Sequence, residues 1–160
     1  MPEREGSAGA SAYGRIAAQL AELLVPELDL TARMATAAAL LHHKRPRFSW
    51  TGFYRLVDGE LLVGPYQGLL ACAILKPRGS GVCWTAVERG ETVIVPDIHA
   101  FPGHIACDGR ARSEIVVPLR DASGAVFAVL DVDSTEPGAF DETDARGLEA
   151  IVELILSRGR

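Results

Sequence analysis

Three thiols and three clustered carboxylates are the residues of this chain with the most evident capacity for chemistry. The thiols are Cys72, Cys83 and Cys107, spaced 11 and then 24 residues apart, with no Cys-x-x-Cys pair among them. An odd, widely spaced set does not make the disulfide framework of a small secreted protein, and a reducing compartment keeps such residues as thiols. Cys72 lies in the apolar run LLACAIL and Cys83 in GVCWTAVERG, where a small buried hydrophobe and a reactive thiol are both open readings. Cys107 is different, because the glycines and polar neighbours of GHIACDG favour an exposed thiolate, the form that acts as a nucleophile. A protonated His104 close to it would lower the thiol pKa, whereas Asp108 would raise it. Zinc held by His104, Cys107 and a further cysteine is the competing use of these groups, resting on a His-x-x-Cys spacing alone. A nucleophile elbow and a phosphate-cradling glycine motif are both missing from the sequence.

The carboxylates are Glu114, at the start of the strand-like SEIVVPLR, and Asp131 and Asp133, at the end of AVFAVLDVD. Alternation along a strand puts Asp131 and Asp133 on one face. Two like charges there are either a solvated strand end or a pocket for an ammonium group, the cation that best offsets carboxylate desolvation. Trp50 and Tyr54, four residues apart in another strand-like run, also share a face and read as core or as the wall of a binding site.

The elements that must position these groups can be read from periodicity. Residues 1–10 are small, polar and rich in Gly and Ala, and are expected as a disordered tail ahead of a domain over 11–157. A helix is predicted from an N-cap at Ser11, with Tyr13, Ile16, Leu20 and Leu24 on its apolar face, and a second over 31–43 before Pro46. Asp58-Gly59 between SWTGFYRLV and ELLVGPYQG predicts a tight hairpin, followed by a third short strand holding Cys72. GVCWTAVERG predicts a short helix stopped by Gly90, then comes the strand TVIVP and an irregular stretch over 97–112. Loops of that length in compact domains are usually functional or disordered, and this one, with two His and Cys107, is read as functional. A second hairpin and a helix from Asp141 complete the order. Hairpins without βαβ repeats imply an α+β fold, a largely antiparallel sheet of about six strands with N-terminal and C-terminal helices packed on it.

Composition narrows the function classes. With 160 residues, 48% hydrophobic and 23% charged, the chain suits one domain that buries roughly 70% of its unfolded surface. Its longest apolar run, Leu69 to Leu75, is seven residues, against the ~20 of a membrane span. MPEREGSAGAS has no apolar stretch behind its charges, so neither anchor nor secretory signal is expected and the cytoplasm is the expected compartment. A net charge of −5, with nine acids against three bases over 121–160, lacks the footprint of a nucleic-acid binder.

Taken together, SWTGFY, GPYQGLLAC, GSGVC, TVIVPDIHAFPGHIACDG, SEIVVPL and VLDVDS resemble the free methionine-(R)-sulfoxide reductase family, enzymes built on a GAF domain. The strings run in matching order from Ser49 to Ser134, and GHIACDG followed by SEIVVPL is the specific part. The resemblance implies that Cys107 is the catalytic nucleophile, Cys72 its principal resolving partner and Cys83 an auxiliary thiol. It makes Glu114, Asp131 and Asp133 pocket acids, and Trp50 and Tyr54 an aromatic wall around the methyl-sulfur end of free methionine sulfoxide. It also implies recycling by thioredoxin, a homodimer, and no metal or organic cofactor. One position departs from the pattern: Trp84 follows Cys83 where the family has a small residue, typically glycine. The alternative of another class is a non-catalytic GAF sensor of a small ligand or of redox state, which has no need of three thiols.

Overall fold

The computed structural model describes residues 2–157. Helix α1 (Pro2–Leu23) begins nine residues before the predicted cap at Ser11. Pro is well placed at a first helical position and no other proline follows until Pro26, so nothing stops the helix from running through the segment expected as a tail. Helix α2 (Leu30–Lys44) is capped by Asp29, whose carboxylate accepts a 2.9 Å bond from the Ala32 N–H. Strands β1 (Trp50–Val57) and β2 (Glu60–Gln67) form the expected hairpin, with Asp58 and Gly59 at φ of 50° and 77°. Helix α3 (Val82–Arg89) ends on Gly90 in the left-handed region. Strand β3 (Val93–Val95), a 3-10 turn at Ile98–Ala100, strands β4 (Ser113–Arg120) and β5 (Val126–Ser134) and helix α4 (Glu142–Ser157) follow. Among the described residues no helix is long and apolar enough to cross a membrane.

The sheet has five strands in the order β2-β1-β5-β4-β3, every neighbouring pair antiparallel. The third strand predicted around Cys72 does not form. Gly68 turns the chain out of β2 at φ 123°, and all that remains is an isolated bridge between Leu62 and Ile74. Strand alternation then sorts the residues of the sheet into two cores. Phe53, Ile115, Val117, Leu119, Leu130 and Val132 point to the face covered by α1, α2 and α4, where Leu20, Met34, Leu41, Leu148 and Ile151 are buried against them. Trp50, Tyr54, Val116 and Val129 point to the other face, packed with Val82, Cys83 and Trp84 of α3 and with the two long loops over 68–81 and 96–112. The helical face anchors the sheet, and the opposite face holds the chemistry.

Gly147 shows how closely the helical layer is fitted. A Cβ there would lie 2.2 Å from the Tyr13 ring, so only glycine lets that ring lie on α4. The ring is held in place by a 2.6 Å bond from its hydroxyl to Asp144, with the Arg45 guanidinium 4.7 Å over its centre.

Candidate active site

The register of the central strands builds the site. Asp133 of β5 is the cross-strand partner of Glu114 on one side and of Trp50 on the other. Asp131, two residues earlier and on the same face, is paired with Val116 and Gly52. Three carboxylates therefore converge on neighbouring strands without any basic side chain between them. Gly52 is needed for this packing, since a Cβ there would meet Tyr66 Cβ at 2.3 Å and the Trp50 ring at 2.7 Å. The space it leaves is filled by an aromatic stack, with Trp50 5.2 Å from Tyr66 and 5.8 Å from Tyr54 between ring centres.

Above this floor the sulfurs of Cys72 and Cys107 are joined in a disulfide, with an S–S distance of 2.00 Å and a Cα–Cα distance of 5.4 Å. The bond ties the loop after β2 to the loop before β4. Trp50, Tyr54, Cys83, Cys107, Glu114, Asp131 and Asp133 line one cavity of about 50 Å³ beneath it, and Cys72 joins the site through its bond to Cys107. Cys83 is the free thiol and is buried. It lies with Glu114 and Asp131 in a group whose ligand atoms all fall within 4.8 Å of one another.

The electrostatics follow from burial. Desolvation pushes Glu114 well above the usual carboxylate range, and the charges of Asp131 and Asp133 add to it. Asp133 is raised for the same first reason and then by Asp131 and Asp108, and Asp131 is raised by burial. Burial and then the charge of Asp131 also hold the Cys83 thiol well above its ordinary value. Buried side by side, these groups form a store of protons. One oxygen of Asp131, Oδ1, is buried with no hydrogen-bond partner, as is Oδ2 of Asp108. Such oxygens are costly unless a donor arrives.

The zinc set considered from spacing is not assembled, because Cys107 is bonded to Cys72. His104 does line the cavity, and burial and then the neighbouring His99 lower its pKa. Asp108 was legible only as a neighbour of Cys107, and here its buried oxygen belongs to the cavity wall. Tyr66 and Gly52 lie within strings that resemble the family, yet nothing in their spacing marked them as part of the aromatic wall.

This arrangement can be compared with known proteins. The GAF domain family matches residues 27–156. The chain is 43% identical over 130 residues to the free methionine-R-sulfoxide reductase of Escherichia coli (strain K12), covering 81% of this chain and 78% of that one. The chain therefore belongs to the GAF-domain free methionine-R-sulfoxide reductase family. The same enzyme from Neisseria meningitidis, solved in complex with its substrate, superposes with a TM-score of 0.88 at 40% identity, covering 94% of this chain and 89% of that one. A putative GAF sensor protein from Burkholderia vietnamiensis superposes equally well, at TM-score 0.88 and 43% identity over 95% of this chain and 98% of that one.

Trp84, the residue after Cys83, is buried in the core of the second face of this reductase-family domain. Its indole N–H donates a 3.1 Å bond to the Leu75 carbonyl. Tyr54 donates through its hydroxyl to the Cys72 carbonyl at 3.0 Å, and burial followed by the charge of Asp131 keeps that phenol protonated.

Proposed function

We propose that this protein reduces free L-methionine-(R)-sulfoxide to methionine through Cys107, with Cys72 as resolving thiol and thioredoxin as the recycling dithiol. The observation that carries the reading is the Cys72–Cys107 pair standing over a cavity floored by Glu114, Asp131 and Asp133. Sulfoxide reduction needs a nucleophile that attacks sulfur and a proton for the departing oxygen. Cys107 supplies the first. A carboxyl group of the floor, kept protonated by burial, supplies the second.

In the first step the Cys107 sulfur takes up the sulfoxide oxygen as a sulfenic acid, and methionine leaves with its sulfur reduced. In the second, the Cys72 thiol attacks the Cys107 sulfur, the S–O bond breaks, and the oxygen leaves as water. Two thiols are oxidised to one disulfide for each sulfoxide reduced. An external dithiol then exchanges with that disulfide to restore both thiols. The closed state suits a product form, with a cavity of about 50 Å³ under the disulfide, room for a few waters at ~10–15 Å³ each.

The acids also explain selection of the free amino acid. Its α-ammonium can donate to Asp131 Oδ1 and its neighbours, whereas a methionine inside a peptide has lost that charge. The first turn of α3, whose residues Val82 and Cys83 line the cavity, leaves N–H groups without intrahelical acceptors, the end of a helix that favours a carboxylate. Trp50 and Tyr54 close the methyl-sulfur end. A homodimer in the cytoplasm completes the reading.

The likeness to a putative GAF sensor gives the second reading, ligand binding without turnover. The deciding experiment supplies separately prepared free (R)- and (S)-sulfoxides and a dithiol, and follows methionine release by the wild type and by Cys107→Ser. Repeated turnover of the R epimer alone, lost in the variant, supports the reductase. Binding without release by the fully reduced protein supports the sensor, and an active Cys107→Ser protein removes the assigned nucleophile.

A further inference from the structure

The segment between β2 and α3 carries Cys72 but belongs to no strand. Its backbone is paired at Val63 N–H to Ala73 O and Leu75 N–H to Leu61 O, at 2.9 and 3.0 Å. Beyond those bonds it is held by three aromatic donors. Trp50 Nε1 donates to Leu69 O at 3.1 Å, the Tyr54 hydroxyl to Cys72 O at 3.0 Å and Trp84 Nε1 to Leu75 O at 3.1 Å. The accepting carbonyls are three residues apart, with Cys72 in the middle. Trp50 and Tyr54 line the cavity, so they also face substrate. Trp84 does not line it, and its indole, 6% exposed, is rooted in α3.

We infer that Trp84 is a positioning residue for the resolving step, fixing the C-terminal side of the Cys72 segment to α3 so that the Cys72 sulfur is delivered to Cys107. This rests on the reading of Cys72 as the resolving thiol. Resolution joins two sulfurs whose parent Cα atoms stand 5.4 Å apart in the closed state. Its rate depends on how often a loop with little ladder pairing brings Cys72 within reach, a matter of orientation rather than thiol reactivity. A small residue at position 84 would offer no side-chain donor to Leu75 O, so this anchor depends on the indole. The Trp84 ring is outside the cavity, and Leu75, which lines it, keeps its own backbone bond to Leu61 O when the indole N–H is lost, so the loss acts on closure before sulfoxide binding.

The test is Trp84→Phe, which keeps an aromatic ring and removes the donor, with the melting temperature measured as a check on folding. After a single addition of free (R)-sulfoxide to reduced protein, methionine release and its KM are expected to match the wild type. Closure of the Cys72–Cys107 disulfide is expected to slow about tenfold, the scale of one lost buried hydrogen bond, with a correspondingly longer-lived sulfenic acid captured by a dimedone probe. Closure within twofold of the wild type in the folded variant overturns the inference. A second measurement needs no variant: of the two indole N–H signals of the wild type, the one from Trp84 should stay protected from exchange whether the disulfide is closed or reduced. Free exchange in the reduced protein also overturns it. If the wild type closes Cys107 onto Cys83, or forms no disulfide, the reading of Cys72 itself has failed, and the inference with it. Normal closure in both proteins fails the inference alone.

Discussion

Glu114 and Asp133 stand directly opposite each other across β4 and β5, two acids paired on the cavity-lining face of an antiparallel ladder. Side chains so placed are about 4.5–5.5 Å apart at Cβ, close enough for like charges to disfavour each other. Both are pushed above the ordinary carboxylate range, first by burial and then by neighbouring acids. The fold therefore carries a destabilising feature at its centre, which is the expected mark of a site built for something that arrives later.

A carboxyl whose pKa is raised on folding binds more protons in the native state than in the unfolded chain over the range between the two values. Stability then falls as pH rises from about 4 through that range, and below it the group has no effect. Asp133→Asn should thus raise the melting temperature by a few degrees at pH 8 and leave it nearly unchanged at pH 4. Thermal unfolding of the two proteins at both pH values checks this. An equal gain at both would mean that packing, not charge, is responsible.

The same acids should make the opposite contribution to binding. Asp131 Oδ1 lacks a partner in the absence of substrate, so its charge is available to an ammonium donor. Asp131→Asn should raise KM for free methionine sulfoxide about 10- to 100-fold, the range of a charge-assisted bond. Substrate lacking the α-amino charge should show little difference between variant and wild type. An unchanged KM would remove Asp131 from recognition.

The Cys72–Cys107 bond closes a loop across 35 residues. Restricting the unfolded chain over that length is worth about 3–4 kcal/mol at most. Reduction should lower the melting temperature by on the order of 5–10 °C. Cys72→Ser should melt at the lower temperature with or without reductant, as followed by circular dichroism.

Much of this was legible because periodicity acts through burial. Alternation placed Asp131 with Asp133 and Trp50 with Tyr54 on shared faces, and Asp58-Gly59 and Gly90 marked a turn and a helix end that need left-handed backbone. What strand pattern could not supply was the register between strands, and it is register that sets Glu114 against Asp133. The start of α1 was missed because small residues carry no apolar stripe, so a composition that suits a tail also suits a helix. The strand predicted at Cys72 does not form because the apolar run that suggested it is largely exposed, Leu70 at 85%, and its carbonyls accept from aromatic side chains in place of a ladder. Asp108 and His104 entered the site through a loop path that no local pattern specifies.

The division of labour among the thiols gives the last prediction. Cys83 is buried beneath the other two, and burial with the charge of Asp131 raises its pKa, so little of it is thiolate near neutral pH. It is a poor substitute for Cys72, which is half-buried and already within bonding reach of Cys107. Cys72→Ser should release about one methionine per chain with thioredoxin as reductant, because thioredoxin is presented with a sulfenic acid instead of a disulfide. Any slow further release that depends on Cys83 should rise with pH, as its thiolate becomes available, and vanish in the Cys72→Ser, Cys83→Ser double variant. Counting methionine released per chain at pH 7 and pH 9 in the three proteins settles the roles. Wild-type turnover by Cys72→Ser at pH 7 would transfer the resolving role to Cys83.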